Sequence, residues 1–211
     1  YLLNPRQKHD PTLMDPDPAR RLVRQDFLKR AIDLARALDA EAVSLWSGIV
    51  HPPIDEDAGM ARLTEALEPV LRHAEESAMP LAFEPEPGMF IDTLERFARL
   101  DERIRHPLFQ LTIDLGHVHC LREGSMDSIL ERWQERVINI HLEDMVEGIH
   151  EHLMFGEGTM DFPQILQALN RIGYAKGVHV ELSRDSHRAV EAVRRSASFL
   201  MPLLNAAAGG H

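Results

Sequence analysis

Four ionisable residues stand at the ends of predicted β-strands, and their types suit metal-assisted acid–base chemistry. They are Glu84, Asp114, His141 and Glu181. In the run before each of them, every second residue is large and apolar, so the remaining residues share a strand face with the charged one. Those remaining residues are Ala82, Thr112, Asn139 and His179. Because buried charges are costly unless they are paired or bind a metal, the shared phase predicts a metal centre.

The types of the predicted ligands limit which metal ions the site could bind. Three carboxylates and one imidazole with open positions suit Mn, Mg or Co, and Zn stays possible in a site of this kind. Cys120 is the one cysteine, so neither a cysteine-rich structural zinc site nor an intrachain disulfide is expected. A reducing compartment, the cytoplasm, fits that cysteine usage. Any of the four residues alone would more simply be a solvated or hydrogen-bonded side chain, and only the set favours one divalent ion.

Predicted helices and strands alternate along the chain, which indicates right-handed βαβ units on a parallel sheet. The apolar spacing predicts two amphipathic helices, the second kinked or split at Pro69. Their apolar faces are Val23, Phe27, Ala31, Leu34 and Leu38 in the first and Leu63, Leu67, Leu71 and Ala74 in the second. Strands are predicted over 42–46, 80–84, 109–115, 137–142 and 177–182. A turn is expected at Gly116, and a long polar loop after residue 142.

The strand count leaves two α/β architectures open. Five strands plus a remnant at residues 1–3 fall short of the eight in a closed (β/α)8 barrel, and an open doubly wound sheet fits the same alternation. Tyr1 stands where a Met would be expected. We therefore expect that one or two early βα units precede this sequence. Residues 1–205 are predicted to form one domain, and residues 206–211 a disordered tail.

The charge balance argues against anionic partners. The 211 residues include 34 Asp and Glu against 23 Lys and Arg, a formal net charge of -11. This field repels phosphate backbones and anionic membrane surfaces, so neither nucleic acid nor membrane is expected as a partner. No apolar run approaches the roughly 20 residues that a spanning helix needs.

The motifs resemble the xylose isomerase-like TIM-barrel superfamily of sugar isomerases and epimerases. Glu84 opens a strand-end loop, Asp114-Leu115-Gly116-His117 matches an Asp-x-x-His motif, and His141 and Glu181 stand at later strand ends. The order Glu, Asp, His, Glu is the specific part of this resemblance. The segment ending in Gly156-Glu157-Gly158 also resembles the family.

The resemblance implies a (β/α)8 TIM barrel that acts on a sugar, sugar phosphate or polyol. Glu84 and Glu181 would be the acid/base pair, exchanging a carbon-bound proton through an enediolate, while Asp114 and His141 hold the ion. Further residues are expected to contact substrate or line its pocket. They are His117, His152, Glu86 and Trp46. Members of the family commonly associate, so a homo-oligomer is expected.

Three alternatives to an isomerase stay open. A dehydratase on the same barrel would use the same ion to expel a β-hydroxyl. An endonuclease IV-like phosphodiesterase would need three metals and an Asp-x-His on the late loop, where this chain has His150-x-His152. That spacing can chelate a metal, although a simply exposed His150 in a flexible acidic loop is the simpler interpretation. A non-catalytic binding module is the third alternative.

Overall fold

A computed structural model describes residues 9–208, and the chain divides into two compact units between Thr112 and Ile113. The expected strand remnant at residues 1–3 and the end of the expected tail, residues 209–211, lie outside the described residues. The prediction of one domain over 1–205 stays a prediction. None of the helices within residues 9–208 has the length and apolarity to cross a bilayer.

The first unit alternates helices and strands as predicted. Its elements are α1 (Pro18–Ala37), β1 (Val43–Leu45), α2 (Glu56–Ser77), β2 (Leu81–Phe83), α3 (Leu94–Ile104) and the start of β3 (Phe109–Asp114). The three strands pair in parallel, with Val43 opposite Leu81 and Leu81 opposite Phe109. Each of the three helices has an N-cap residue whose side chain accepts hydrogen bonds from amides of the first turn. These residues are Asp17, Asp55 and Thr93.

Two helix predictions in this unit need correction. The face predicted for α1 is not the buried one: Val23, Leu34 and Leu38 are 49%, 59% and 71% exposed, and Phe27 and Ala31 are only partly buried. The buried face lies one position on, at Arg24, Gln25, Leu28, Ile32 and Ala35. Gln25 is buried there because its amide donates to the Ala66 carbonyl of α2 at 3.0 Å. α2 is not split, since one helix runs through Pro69.

The second unit also alternates helices and strands and adds a hairpin. Its elements are the end of β3, α4 (Leu115–Leu121), α5 (Met126–Trp133), β4 (Val137–Leu142), β5 (Asp144–Val146), β6 (Ile149–Leu153), α6 (Phe162–Arg171), β7 (Val178–Val180), a 3-10 helix (Ser183–Arg188) and α7 (Ala189–Ala208). β4 and β7 pair in parallel, with His141 opposite His179. β5 and β6 form an antiparallel hairpin, which turns at Gly148 with a φ of 77°.

The structure differs from the sequence interpretation at four places in this unit. Gly116 lies inside α4, because Asp114 caps that helix directly at the strand end. The expected polar loop after residue 142 contains the β5–β6 hairpin. The large apolar residues of β7 are not buried, since Val178 and Val180 are 38% and 44% exposed. α7 continues to Ala208 and so includes the first residues of the expected disordered tail.

Candidate metal centre

Asp114 ends β3 and caps α4, and both roles fix its carboxylate. Oδ1 accepts the His117 amide at 2.9 Å, and Oδ2 lies 3.6 Å from His117 Nε2. The side chain has no exposed surface. Burial alone would raise the pKa of Asp114, but the charge of His117, a hydrogen bond with the Glu143 carboxyl and the His117 amide outweigh burial and lower the pKa. The site therefore favours the anion, which is the form that binds a cation.

His141, near the end of β4, and Glu181, directly after β7, form a hydrogen-bonded pair. His141 Nδ1 lies 2.8 Å from Glu181 Oε2, and His141 Nε2 lies 3.1 Å from the Asn139 side-chain amide. The hydrogen bond from His141 is the main cause of a lowered pKa for Glu181, against an opposing effect of burial. The pair is partly accessible, with His141 17% and Glu181 34% exposed in the side chain.

The donor atoms of Asp114, His141 and Glu181 converge. One ligand atom of each lies within 4.8 Å of the others, close enough for a single cation after small side-chain movements. Two carboxylates and an imidazole at this spacing fit Mn, Mg, Co or Zn with positions left for substrate oxygens. The structure thus brings together three of the four residues that the strand phase predicts, all within the second unit.

The remaining predicted residues of the first unit occupy strand-end positions. Glu84 directly follows β2, is 5% exposed, and donates its amide to the Leu45 carbonyl at 2.8 Å. Glu86 lies two residues further, where its amide donates to the Ile91 carbonyl at 3.0 Å. The Trp46 ring lies 5.1 Å from the Arg24 guanidinium. That contact supports a packing role for Trp46, and its contact with substrate stays a prediction.

Glu143 is an acidic residue of the site that the sequence did not reveal. It is fully buried, and its Oε2 lies 3.9 Å from His152 Nδ1. A Cβ at Gly116 would lie 1.9 Å from Glu143 Oε1, so only glycine fits there. One ligand atom of Glu143 also lies within 4.8 Å of ligand atoms of Asp114 and His152. The His141-Leu142-Glu143 spacing was the available signal, because residues two apart on a strand share a face.

The Asp144 carboxylate accounts for the two glycines of the Gly156-x-Gly158 segment. Its Oδ2 accepts the amides of Gly156 and Gly158, each at 2.9 Å, and its Oδ1 accepts the Met160 amide at 3.2 Å. A Cβ on Gly158 would lie 2.3 Å from Asp144 Oδ1, and Gly156 has a φ of 86°. Both glycines are therefore required by the loop that wraps one carboxylate. That loop follows β6 and fixes the far end of the hairpin.

The hairpin brings two predicted histidines against α4. His150 and His152 lie two residues apart on β6, so they share a strand face, and both rings lie within 6 Å of the His117 ring, at 4.8 and 5.7 Å between centroids. His117 and His152 are largely buried, with side chains 4% and 13% exposed. The expectation that His150 is exposed is confirmed, and its Nε2 also lies 3.1 Å from His117 Nε2.

Comparison with known proteins identifies the class to which this alternating α/β chain belongs. The chain belongs to the xylose isomerase-like TIM-barrel family, whose model matches residues 2–203. The predicted fold class is therefore confirmed, and the barrel is preferred over the open doubly wound sheet.

This chain is similar to individual relatives in sequence and to solved structures in fold. L-ribulose-5-phosphate 3-epimerase UlaE of Salmonella paratyphi A is 21% identical over 166 residues, 79% of this chain and 58% of that protein. The IolI protein, in a crystal structure with a zinc atom, superposes with a TM-score of 0.77 at 17% identity over 92% of this chain and 73% of that one. A D-tagatose 3-epimerase-like protein gives 0.77 at 23% identity over 93% and 77%. The chain spans about 60% of the length of the curated relatives that it matches.

Proposed function

We propose that this protein is a divalent-metal-dependent isomerase or epimerase of a sugar or sugar phosphate. The observation that carries the proposal is the convergence of Asp114, His141 and Glu181 in a family whose matched relatives include sugar epimerases. Mn, Mg, Co and Zn all suit the ligands. The proposal includes a reducing, cytoplasmic setting and a homo-oligomeric assembly, and excludes nucleic acid and membranes as partners.

The donor set of the second unit fits a divalent ion on physical grounds. Asp114 is a buried carboxylate whose lowered pKa favours the charged form, and a buried charge requires compensation. Glu181 Oε2 lies 2.8 Å from His141 Nδ1, so both side chains could offer a donor atom to one cation. A divalent ion held by these residues would withdraw charge from a substrate carbonyl and its neighbouring hydroxyl, and so acidify the proton on the intervening carbon.

Glu84 is proposed as the fourth ligand. Phe83 of β2 pairs with Leu111 of β3, so Glu84 is next in register with Thr112, on the strand that continues to Asp114. Thr112 Oγ1 donates to the Ala82 carbonyl at 3.2 Å, which holds this register at the strand ends. Glu84 is 5% exposed, so its carboxylate is a buried strand-end group like that of Asp114.

Proton transfer is assigned to Glu84 and Glu181. One glutamate removes the carbon-bound proton and the other returns a proton to the substrate enediolate, which inverts or relocates the stereocentre. Glu181 suits the base role, because its carboxylate is 34% exposed and so accessible to substrate. His117 and His152 are proposed to face substrate oxygens, and Glu86 and Trp46 to contribute to the pocket.

Solvent-exchange measurements on the full-length protein test this function. Sugars, sugar phosphates and polyols would be incubated in deuterium oxide with Mn²⁺, and NMR would follow deuterium entering the carbon next to the carbonyl. We expect Glu181→Gln to slow exchange by about 10²–10⁴-fold, the usual contribution of a positioned general base. Glu131→Gln, a change of an exposed carboxylate on α5, is the matched control and should leave exchange unchanged.

Two results would contradict the proposal. Undiminished exchange by the folded Glu181→Gln variant would remove the assigned base. Loss of water from the substrate, seen as a deoxy-keto product, would replace the isomerase with a dehydratase on the same barrel.

A further inference from the structure

Asn139 contacts the ring nitrogen of His141 that lies away from Glu181. The two residues are two apart on β4, so their side chains share a strand face. His141 Nδ1 is 2.8 Å from Glu181 Oε2, and His141 Nε2 is 3.1 Å from Asn139 Nδ2. The imidazole is therefore held at both nitrogens, by a carboxylate at one and by an amide at the other.

These two contacts define which ring nitrogen carries the proton. An amide NH2 group only donates hydrogen bonds, so Nε2 is the acceptor in the contact with Asn139. In a neutral imidazole the other nitrogen then carries the hydrogen, and Nδ1–H donates to Glu181 Oε2. As the three side chains are placed, His141 is therefore the Nδ1–H tautomer.

A cation at Nδ1 requires the other tautomer. Nδ1 is the ring nitrogen on the side of Glu181, and the donor atoms of Asp114, His141 and Glu181 converge. A metal binds the lone pair of an unprotonated nitrogen, so the Nδ1 proton must leave to solvent while Nε2 takes one up. The ring remains neutral, but Nε2–H then needs a hydrogen-bond acceptor. The NH2 group of Asn139 cannot be that acceptor, whereas its carbonyl oxygen can.

We propose that Asn139 is a positioning residue that allows His141 to exchange between these two tautomers, by turning its amide about the Cβ–Cγ bond. One amide orientation donates to Nε2 while Nδ1–H bonds Glu181. The other accepts from Nε2–H and leaves the Nδ1 lone pair to the ion. This inference rests on the ion that the proposed function assigns to Asp114, His141 and Glu181.

An amide suits this exchange better than the groups that usually stand behind a ligating histidine. An ionised carboxylate or a backbone carbonyl only accepts, so it fixes the ring as Nε2–H whether or not an ion is bound. An amide offers a donor and an acceptor of nearly the same shape, and the Cβ–Cγ torsion of asparagine is soft. Both orientations of Asn139 therefore occupy the same space beside Nε2.

The exchange also controls Glu181, the proposed base. While Nδ1–H donates to Oε2, the carboxylate is engaged by His141. When Nδ1 binds the ion, that hydrogen bond is lost, and the carboxylate is released to contact the ion and take the substrate proton. Glu181 therefore becomes available for proton transfer only when the ion is bound.

¹⁵N NMR of the histidine rings in the full-length protein reads the tautomer directly. The His141 resonances are identified as those that are missing in His141→Gln. After treatment with a chelator, we expect a protonated Nδ1 and an unprotonated Nε2. After addition of Zn²⁺, which is diamagnetic, we expect a protonated Nε2 and a metal-bound Nδ1. Zn²⁺ bound at Nε2, with Nδ1 still protonated, would overturn the proposal.

Two variants of nearly the same shape separate hydrogen bonding from packing. Asn139→Leu cannot bond Nε2, so we expect a loss of about 10–100-fold in Zn²⁺ affinity, measured at the His141 resonances in competition with a chelator. Asn139→Asp only accepts, so Nε2 should be protonated before Zn²⁺ is added, which a purely structural role would not cause. Gln110→Leu is the matched control, because Gln110 is a strand amide on β3 that donates to the Pro107 carbonyl at 2.6 Å. It should change neither the affinity nor the tautomer.

The outcomes distinguish this proposal from the proposed function. If Asn139→Leu binds Zn²⁺ as tightly as the wild type while sugar exchange continues, the role of Asn139 is wrong and the epimerase stands. If the tautomer changes with Zn²⁺ and Asn139→Leu weakens binding, but no sugar, sugar phosphate or polyol exchanges its proton, Asn139 keeps its role and the epimerase is wrong. If the His141 resonances of the wild type do not respond to Zn²⁺, both are wrong. Circular dichroism melting checks folding, and if Asn139→Leu is unfolded, the wild-type and Asn139→Asp spectra decide.

Discussion

Replacing Asp144, the first residue of β5, should destabilise the protein more than replacing a carboxylate that only caps a helix, such as Asp161. The Asp144 side chain accepts three backbone amides, from Gly156, Gly158 and Met160, at 2.9, 2.9 and 3.2 Å. The residue is 1% exposed. Asp144→Ala would remove all three acceptor contacts from the loop that contains Gly156, Gly158 and Met160.

The magnitude follows from the type of bond. Hydrogen bonds to a charged group contribute about 1.5–3 kcal/mol each, and an orphaned buried donor costs about 1–3 kcal/mol. Only the Met160 bond is fully buried, and water can reach the two glycine amides, so we expect a loss of about 3–6 kcal/mol in the free energy of unfolding rather than the full sum. Asp144→Asn should lose about half of this, because its one oxygen can still accept the two glycine amides.

Urea unfolding followed by circular dichroism measures the effect. We expect the midpoint to fall by roughly 1–3 M urea for Asp144→Ala at an unchanged slope. Asp161→Ala is the matched control: Asp161 caps α6 through a single exposed bond to the Gln164 amide, at 3.0 Å, so it should cost only about 1 kcal/mol. Equal midpoints for Asp144→Ala and Asp161→Ala would refute the argument that the Asp144 carboxylate organises the glycine loop.

Two further predictions concern protonation in the metal-free protein. His150 should titrate at a pKa of about 4 by NMR, because burial and the two neighbouring histidines lower the pKa from its ordinary value of 6.5. The unfolded chain then binds more protons than the folded protein, so the contribution of His150 to stability falls as pH drops from 6.5 toward 4. A measured pKa above 6 would contradict this prediction. The pKa of Glu181 is lowered mainly by the bond from His141, so the pair contributes stability above the ordinary value of 4.5 that is lost as pH falls through the folded pKa. Urea midpoints against pH should show this loss in the wild type and not in Glu181→Gln; parallel curves would refute the pair.

Local patterns determined the frame of the molecule and the strand-end part of its site. A strand alternates faces every two residues, so the position of His141 relative to Ile140, and of Asp114 relative to Ile113, could be inferred from neighbours in sequence. The caps at Asp17 and Asp161 were also local, since each bonds an amide two or three residues away. The order Glu, Asp, His, Glu then carried the resemblance to the family.

Tertiary structure alone decided which other residues join the site. His150 contacts His117, 33 residues earlier in the sequence, and Asp144 accepts a hydrogen bond from Met160, 16 residues later. The periodicity of a helix or a strand does not predict contacts at such separations. Glu143 lay in an apparent polar loop, and its burial depends on the absence of a side chain at Gly116. The buried face of α1 likewise depended on a partner, because the Ala66 carbonyl compensates Gln25. Sequence periodicity therefore predicts which residues of a segment share a face. Whether a polar side chain on that face is buried depends on the distant groups that hydrogen-bond to it.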